Sequence, residues 1–227
     1  MFRQIVDDLK RMIEEGNLPD HAALPSERVV AEQHGVSRMT ARRALEAIEA
    51  EGLAYSKDRQ GRFVSPKRMN YNVNSLENFI TDADQQGIDV KGQVIATVAQ
   101  QATADMAEHL GVSVGTELVQ TQRLFLREGH AMFLETETVI PARCHGLQAD
   151  PPDTQRYSTL GHMADITIRM RALAPNEAAP LGLMPYQAGI EQEQMVRDAD
   201  GILFCHVRQI WRGELAQFSA RAVLQGP

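Results

Sequence analysis

The chain has 227 residues, enough for two modest domains, each with its own core. Apolar residues make up 43% and charged residues 23%, and no apolar run approaches the roughly eighteen residues of a membrane span. The formal charge of −7 is unevenly spread: residues 1–68 hold 12 Lys/Arg against 11 Asp/Glu, a net of +1, which leaves −8 for the rest. Fields are screened beyond about 8–10 Å, so a locally basic surface decides phosphate contact, and the acidic remainder is expected to face away.

From Phe2 to Glu15, the residues Phe2, Ile5, Val6, Leu9, Met12 and Ile13 recur at helical spacing, and Gly16-Asn17 ends the pattern. The acids of this segment, and its lack of an apolar signal core, make a cytoplasmic protein the expectation. A second short helix is expected over Leu24–His34, with Pro25 at a first helical position and Ser26 beside it. Gly35 breaks it. Ser37 is the N-cap of a third helix running to about Glu51, whose apolar face is Ala41, Ala44, Leu45 and Ile48, with Leu53 after it. Arg38, Arg42 and Arg43 project elsewhere. Two short helices joined by a tight turn, the second carrying arginines in its first turns, form the helix-turn-helix pattern.

Ala54-Tyr55-Ser56 and Arg62-Phe63-Val64-Ser65 read as two strands around the polar tip Lys57-Asp58-Arg59-Gln60-Gly61. A basic hairpin directly after a recognition helix is a wing able to reach phosphates or the minor groove. Taken alone, arginines on a helix are more often a solvated face; helix, turn, helix and wing together point to double-stranded DNA.

The run LPSERVVAEQHGVSRMTARRALEAIEAEGL, with its flanks over residues 3–66, resembles the winged helix-turn-helix domain of the GntR family of bacterial transcription regulators. The resemblance implies DNA contacts at Arg28, at Ser37, Arg38, Thr40 and Arg42, and at the wing residues Gln60 and Gly61. Arg62 beside them joins this set. The chemistry agrees: arginine forks suit guanine or phosphate, and hydroxyls suit phosphate oxygens. Arg28 positions the domain rather than reading bases. Arg43 points to another side, where core-edge packing or an ion pair is as reasonable as DNA.

Residues 67–75 have little periodicity and are the expected linker between a DNA-binding domain over 1–66 and a second domain over 76–227. Leu76–Gln86 reads as a helix closed by Gly87. Beyond it, strands are expected at Val94–Ala99, Leu118–Arg127, Ala131–Ile140, Asp165–Leu173, Ala188–Arg197, Leu203–Trp211 and Leu215–Leu224. Helices are expected at Thr103–Leu110, Gln155–Gly161 and Asn176–Leu183. Consecutive hairpins with a few helices give an α+β fold around an antiparallel sheet.

That order resembles the UTRA effector-sensing domain of the HutC-type branch of the same family, whose fold is like that of chorismate lyase. The resemblance is carried by GVSVGTELVQTQRLFLREGHAMFLETETVIP and GILFCHVRQIWRGELAQFSARAVL. It implies effector contacts at Arg123, Glu135 and Arg208. Phe125 stands where the family has a second arginine, which argues against a strongly phosphorylated effector, and Gly129-His130-Ala131 replaces the family's Gly-x-Pro. Arginine on a strand suits a small anionic metabolite, and glutamate a hydroxyl or amine. Tyr157 and Ser158 could add hydroxyls.

No paired acid and base, nor a nucleophile with a base, stands at telling spacing, so no catalytic residue and no cofactor are expected. His109, His130, His145, His162 and His206 are scattered. Cys144 and Cys205 are far apart, giving no disulfide framework, and Cys144-His145 without a second pair is no metal motif. The expectation is a ligand-responsive regulator, a repressor by family habit, acting as a homodimer on a pseudo-palindromic operator. The alternatives are a constitutive DNA-binding protein whose second domain only dimerises, and a lyase-like enzyme.

Overall fold

The computed structural model describes residues 1–57, 60–73, 80, 83–84, 86–144 and 160–221. Helix α1 (Phe2–Glu14) buries Ile5, Val6 and Leu9, one stripe of its surface. Helix α2 (Glu27–His34) starts two residues later than Pro25 at a first helical position implies. Ser26 is the N-cap, its side chain accepting from Val29 N, and Pro25 lies outside the helix. Gly35, at φ 62°, supplies the left-handed residue that ends α2. Ser37 caps α3 (Arg38–Ala50) by accepting from Thr40 N at 3.2 Å. Ala41, Ala44, Leu45 and Ile48 are buried as the spacing predicts, against Ile5, Leu9 and Val30. Each fully buried leucine or isoleucine there contributes about 1.5–3 kcal/mol. Strands β1 (Ala54–Lys57) and β2 (Gly61–Val64) close the domain as an antiparallel hairpin.

Within the expected linker the structure has a strand, β3 (Met69–Asn72), with Met69 and Tyr71 buried. It pairs in parallel with β10 (Ala216–Ser219), which therefore leaves the main sheet rather than extending it. Among the described residues the main sheet has six strands, all antiparallel, in the order β4-β5-β6-β9-β8-β7 by chain number. They are β4 (Val90–Gln101), β5 (Glu117–Arg127), β6 (His130–Val139), β7 (Met163–Ala172), β8 (Ala188–Arg197) and β9 (Leu203–Trp211). Helix α4 (Ala104–Leu110), capped by Thr103, follows β4. The helix expected over Asn176–Leu183 is only α5 (Pro175–Ala178): Ala179 is still in the helical region, but Pro180 has no N–H to donate to Asn176 O and so cannot carry the helix on. Most of the expected helix Leu76–Gln86, nearly all of Gln155–Gly161, and the end of Leu215–Leu224 lie outside the described residues, as do Tyr157 and Ser158. No helix among the described residues is long and apolar enough to cross a membrane.

Alternation along the strands sorts the main sheet into two faces. One face carries cross-strand rows. Phe125, Phe133 and Trp211 are neighbours in one row, and their rings stack at 4.3 and 4.0 Å. Val119, Val139, Cys205 and Val196 form an aliphatic row further along. Between them lies a buried polar band.

Candidate functional site

The first site is the outer surface of the helix-turn-helix. Arg28, Arg38, Gln60, Gly61 and Arg62 line one groove of about 390 Å³ formed by the start of α2, the start of α3 and the wing. Five of the eight residues expected to touch DNA therefore share one concave surface. Their electrostatic situations differ. Arg38 is exposed and has no acidic partner among the described residues. Arg28 and Arg42 each pair one turn along their own helix, to Glu32 and Glu46 at 2.8 Å, with both partners exposed. Such pairs are worth a few tenths of a kcal/mol and yield readily to phosphate. Ser37 spends its hydroxyl on the cap and on Thr40 Oγ1 at 3.0 Å, so these two residues build the helix start before they meet any ligand. Arg62 is different again. Its side chain is only 20% exposed and bridges Glu49 of α3 and Glu27 of α2, at 3.2 and 3.4 Å. It ties the wing to both helices. Gly61, at φ 103°, turns the wing tip in a conformation that a side chain would resist.

The second site is the polar band of the sheet. Arg123, Glu135, Gln209 and Gln192 are successive neighbours across β5, β6, β9 and β8. All four are buried, at 5%, 4%, 4% and 0% exposure. Arg123 donates to Glu135 Oε1 at 3.1 Å and also to Glu137 Oε2. Gln209 donates to Glu135 Oε2 at 2.9 Å and accepts from Trp211 Nε1 at 3.0 Å. Burial pushes the Glu135 carboxyl above its ordinary range, the Gln209 hydrogen bond opposes this, the Glu137 charge adds to the rise, and Arg123 opposes it. Gln194 reaches Tyr71 Oη at 3.4 Å. Gln192 is the exception. Neither its amide nitrogen nor its amide oxygen has a hydrogen-bond partner among the described residues. A fully buried amide left unpaired costs about 1–3 kcal/mol.

The structure brings Arg123 and Glu135 together but not Arg208. Strand alternation puts Arg208 opposite Thr136 and Glu193, on the far face, while Gln209 takes the place beside Glu135. There Arg208 donates to Glu191 Oε2 at 2.7 Å and to Glu177, which Arg171 also holds at 2.7 Å. Arg171 first, against burial, and then Ala174 N and Arg208 hold the Glu177 carboxyl down at about 2. Arg208 is thus a member of an ion network on the other side of the sheet. Sequence reasoning missed Glu137, Gln192, Gln194 and Gln209. For the three glutamines the signal was present as polar residues at inward positions of strands whose other inward residues, Ile190, Val196, Val207 and Trp211, are apolar.

The two domains also touch. His21 stacks on His130, with ring centroids 3.6 Å apart, and the Arg212 guanidinium lies over the Tyr55 ring at 4.5 Å. Arg127 donates to Lys67 O at 2.7 Å, and Arg68 to Glu51 O at 3.1 Å. The strand that carries Arg123 therefore ends on the segment joining the domains, and the one that carries Gln209 ends beside the DNA-binding domain.

Two family models match the chain: bacterial regulatory proteins of the gntR family over residues 2–64, and the UTRA domain over residues 85–217. The protein belongs to the GntR family and carries a UTRA domain. It is similar to the transcriptional repressor NagR of Bacillus subtilis, 28% identical over 96% of this chain and 93% of the relative. It is also similar to MngR of Escherichia coli, the mannosyl-D-glycerate transport/metabolism system repressor, 28% identical over 62% of this chain and 58% of that one. In fold it matches PhnF of Mycobacterium smegmatis, with a TM-score of 0.64 over 97% of this chain and all of that one, at 24% identity. This GntR/UTRA protein is a regulator of the HutC type, with DNA-binding helices followed by an effector domain.

Proposed function

We propose that this regulator is a repressor that binds a pseudo-palindromic operator as a homodimer in the cytoplasm, and that a small polar metabolite seated on the buried band weakens that binding. The observation that carries the reading is Gln192, a fully buried amide whose donor and acceptor are both unmet among the described residues. Beside it stand Gln209 and Glu135, so the band offers donors and acceptors in a line. This suits a ligand rich in hydroxyl or amine groups, and the relative named for a mannosyl-D-glycerate system fits such chemistry. An anionic group can reach Arg123 only by displacing Glu135 or Glu137, which already hold it. Glu135, whose carboxyl burial pushes up toward the protonated form, is the one that yields.

The coupling route runs along β5 from Arg123 to Arg127, and along β9 from Gln209 to Arg212, both ending on the DNA-binding domain or the segment that joins it. An effector that binds better when these contacts shift moves the population of head-domain positions, by no more than its differential affinity. The test is salt-dependent binding of the full chain to the DNA upstream of its own gene, followed by fluorescence anisotropy, with sugars, amino sugars, amino acids and sugar phosphates added in turn. A metabolite that both raises Tm and releases DNA supports the reading. DNA binding that no metabolite alters, with an unmoved Tm, would instead favour a constitutive DNA-binding protein.

A further inference from the structure

On the sheet face opposite the polar band, α4 packs Ala107 and Leu110 against Leu118, Ile140 and Leu203. That packing sets His109 above the strands, where it meets His206 of β9 and Glu193 of β8. His109 Nε2 lies 3.1 Å from Glu193 Oε1, and His206 Nε2 lies 2.9 Å from the same oxygen. The three ligating atoms fall within 4.8 Å of one another. The rings meet edge to face at 77°, so they do not stack; each aims a nitrogen at one shared point.

A carboxylate oxygen can accept from two imidazoles, and the same convergence of two ring nitrogens and one carboxylate is a ligand set for a single ion. Ligands at about 2.0–2.2 Å from a tetrahedral ion stand roughly 3.3 Å from each other, close to the two spacings seen. Glu193 Oε2 faces Arg169 Nη2 at 3.4 Å, which orients the carboxylate and leaves Oε1 to the cluster. Arg208, the other nearby cation, is committed to Glu191 and Glu177. The cluster opens on a pocket of about 380 Å³ that Asp105, Thr138 and Arg208 also line. A fourth position therefore has room for water or for Asp105, which lies one turn before His109 on α4.

We propose that His109, Glu193 and His206 bind one divalent ion of the zinc, cobalt or nickel kind. Two imidazoles and one carboxylate favour these over magnesium and calcium, which prefer oxygen throughout. The ion clamps α4 onto β8 and β9, the strands whose opposite face carries Gln192, Gln194 and Gln209. Sequence spacing gave no hint of it, because the three ligands come from separate elements.

The test uses the full-length, untagged protein, stripped with chelator and titrated with zinc chloride by calorimetry and with cobalt chloride by visible absorption. One ion per chain, a raised Tm and the cobalt bands of a nitrogen and oxygen site are expected, with no response to magnesium chloride. His109→Ala, at a half-exposed position that leaves folding intact, is expected to weaken zinc at least about tenfold, the scale on which even outer-shell partners act. Glu193→Gln is expected to do the same. Absence of stoichiometric binding, binding unchanged in His109→Ala, or the near-ultraviolet charge transfer of a thiolate from Cys144 or Cys205 would each overturn the proposal. The cluster would then be hydrogen-bonded only.

Discussion

Arg38 and Arg62 line the same groove, yet their surroundings assign them different work. Arg38 has no acidic partner among the described residues, so nothing in the free protein is lost when its guanidinium goes. Arg38→Ala is therefore expected to weaken operator binding by about 1–3 kcal/mol, roughly five- to 150-fold, while Tm stays put. Arg62→Ala removes the bridge from the wing to Glu49 and Glu27, and it is expected to lower Tm as well as affinity. Melting and anisotropy on the two variants decide this; equal Tm losses would refute the distinction. Gln192 permits a sharper inversion. Because its amide atoms are unpaired and fully buried, Gln192→Leu removes a desolvation penalty and is expected to hold or raise Tm. It is also expected to abolish effector-driven release of DNA. A destabilised Gln192→Leu that still responds to effector would show that the amide has a structural partner instead.

At the scale of elements, β4 stands out as the longest strand and an edge of the sheet, with Val94, Ile95 and Val98 about half exposed. A long apolar edge invites pairing, which makes it the face for a second copy in the homodimer reading. Val98→Asp is expected to shift the protein to monomer in light scattering and to weaken operator binding; an unchanged dimer would move the interface elsewhere. How legible these elements were depended on how local their causes are. The cap at Ser37, the left-handed Gly35 and the stripe Ala41-Ala44-Leu45-Ile48 act within one or two turns, so the DNA-binding helices could be read directly. Strand β3 could not, because Met69 and Tyr71 are buried only once β10 arrives from the far end of the chain. The side of the sheet on which Arg208 falls follows from a register that spacing alone leaves open, as does the meeting of His109 with Glu193 and His206.

At the scale of the whole molecule, the contact between domains is built on two histidines that resist protonation. Burial first, and the neighbouring His130 second, push His21 down to about 4 from an ordinary 6.5, and burial also lowers His130. His21 Nδ1 meets Tyr55 Oη at 2.9 Å, while Nε2 is buried without a partner among the described residues. In the closed arrangement both rings are thus neutral at pH 7. When the domains part, the rings return to water and their pKa values move back toward 6.5. Between about 4 and 6.5 the open arrangement therefore binds more protons than the closed one, so closure is fully supported above pH 6.5 and weakens as pH falls through that window. The distance between one label on α1 and another on β6, read by energy transfer, is expected to lengthen between pH 7.5 and pH 5. His130→Phe keeps an aromatic ring against His21 but removes one of the two titrating groups, so its pH response is expected to be shallower. A wild-type distance that holds constant across the range would mean that the stack does not govern closure. The heads would then be placed by the Arg127 and Arg212 contacts alone.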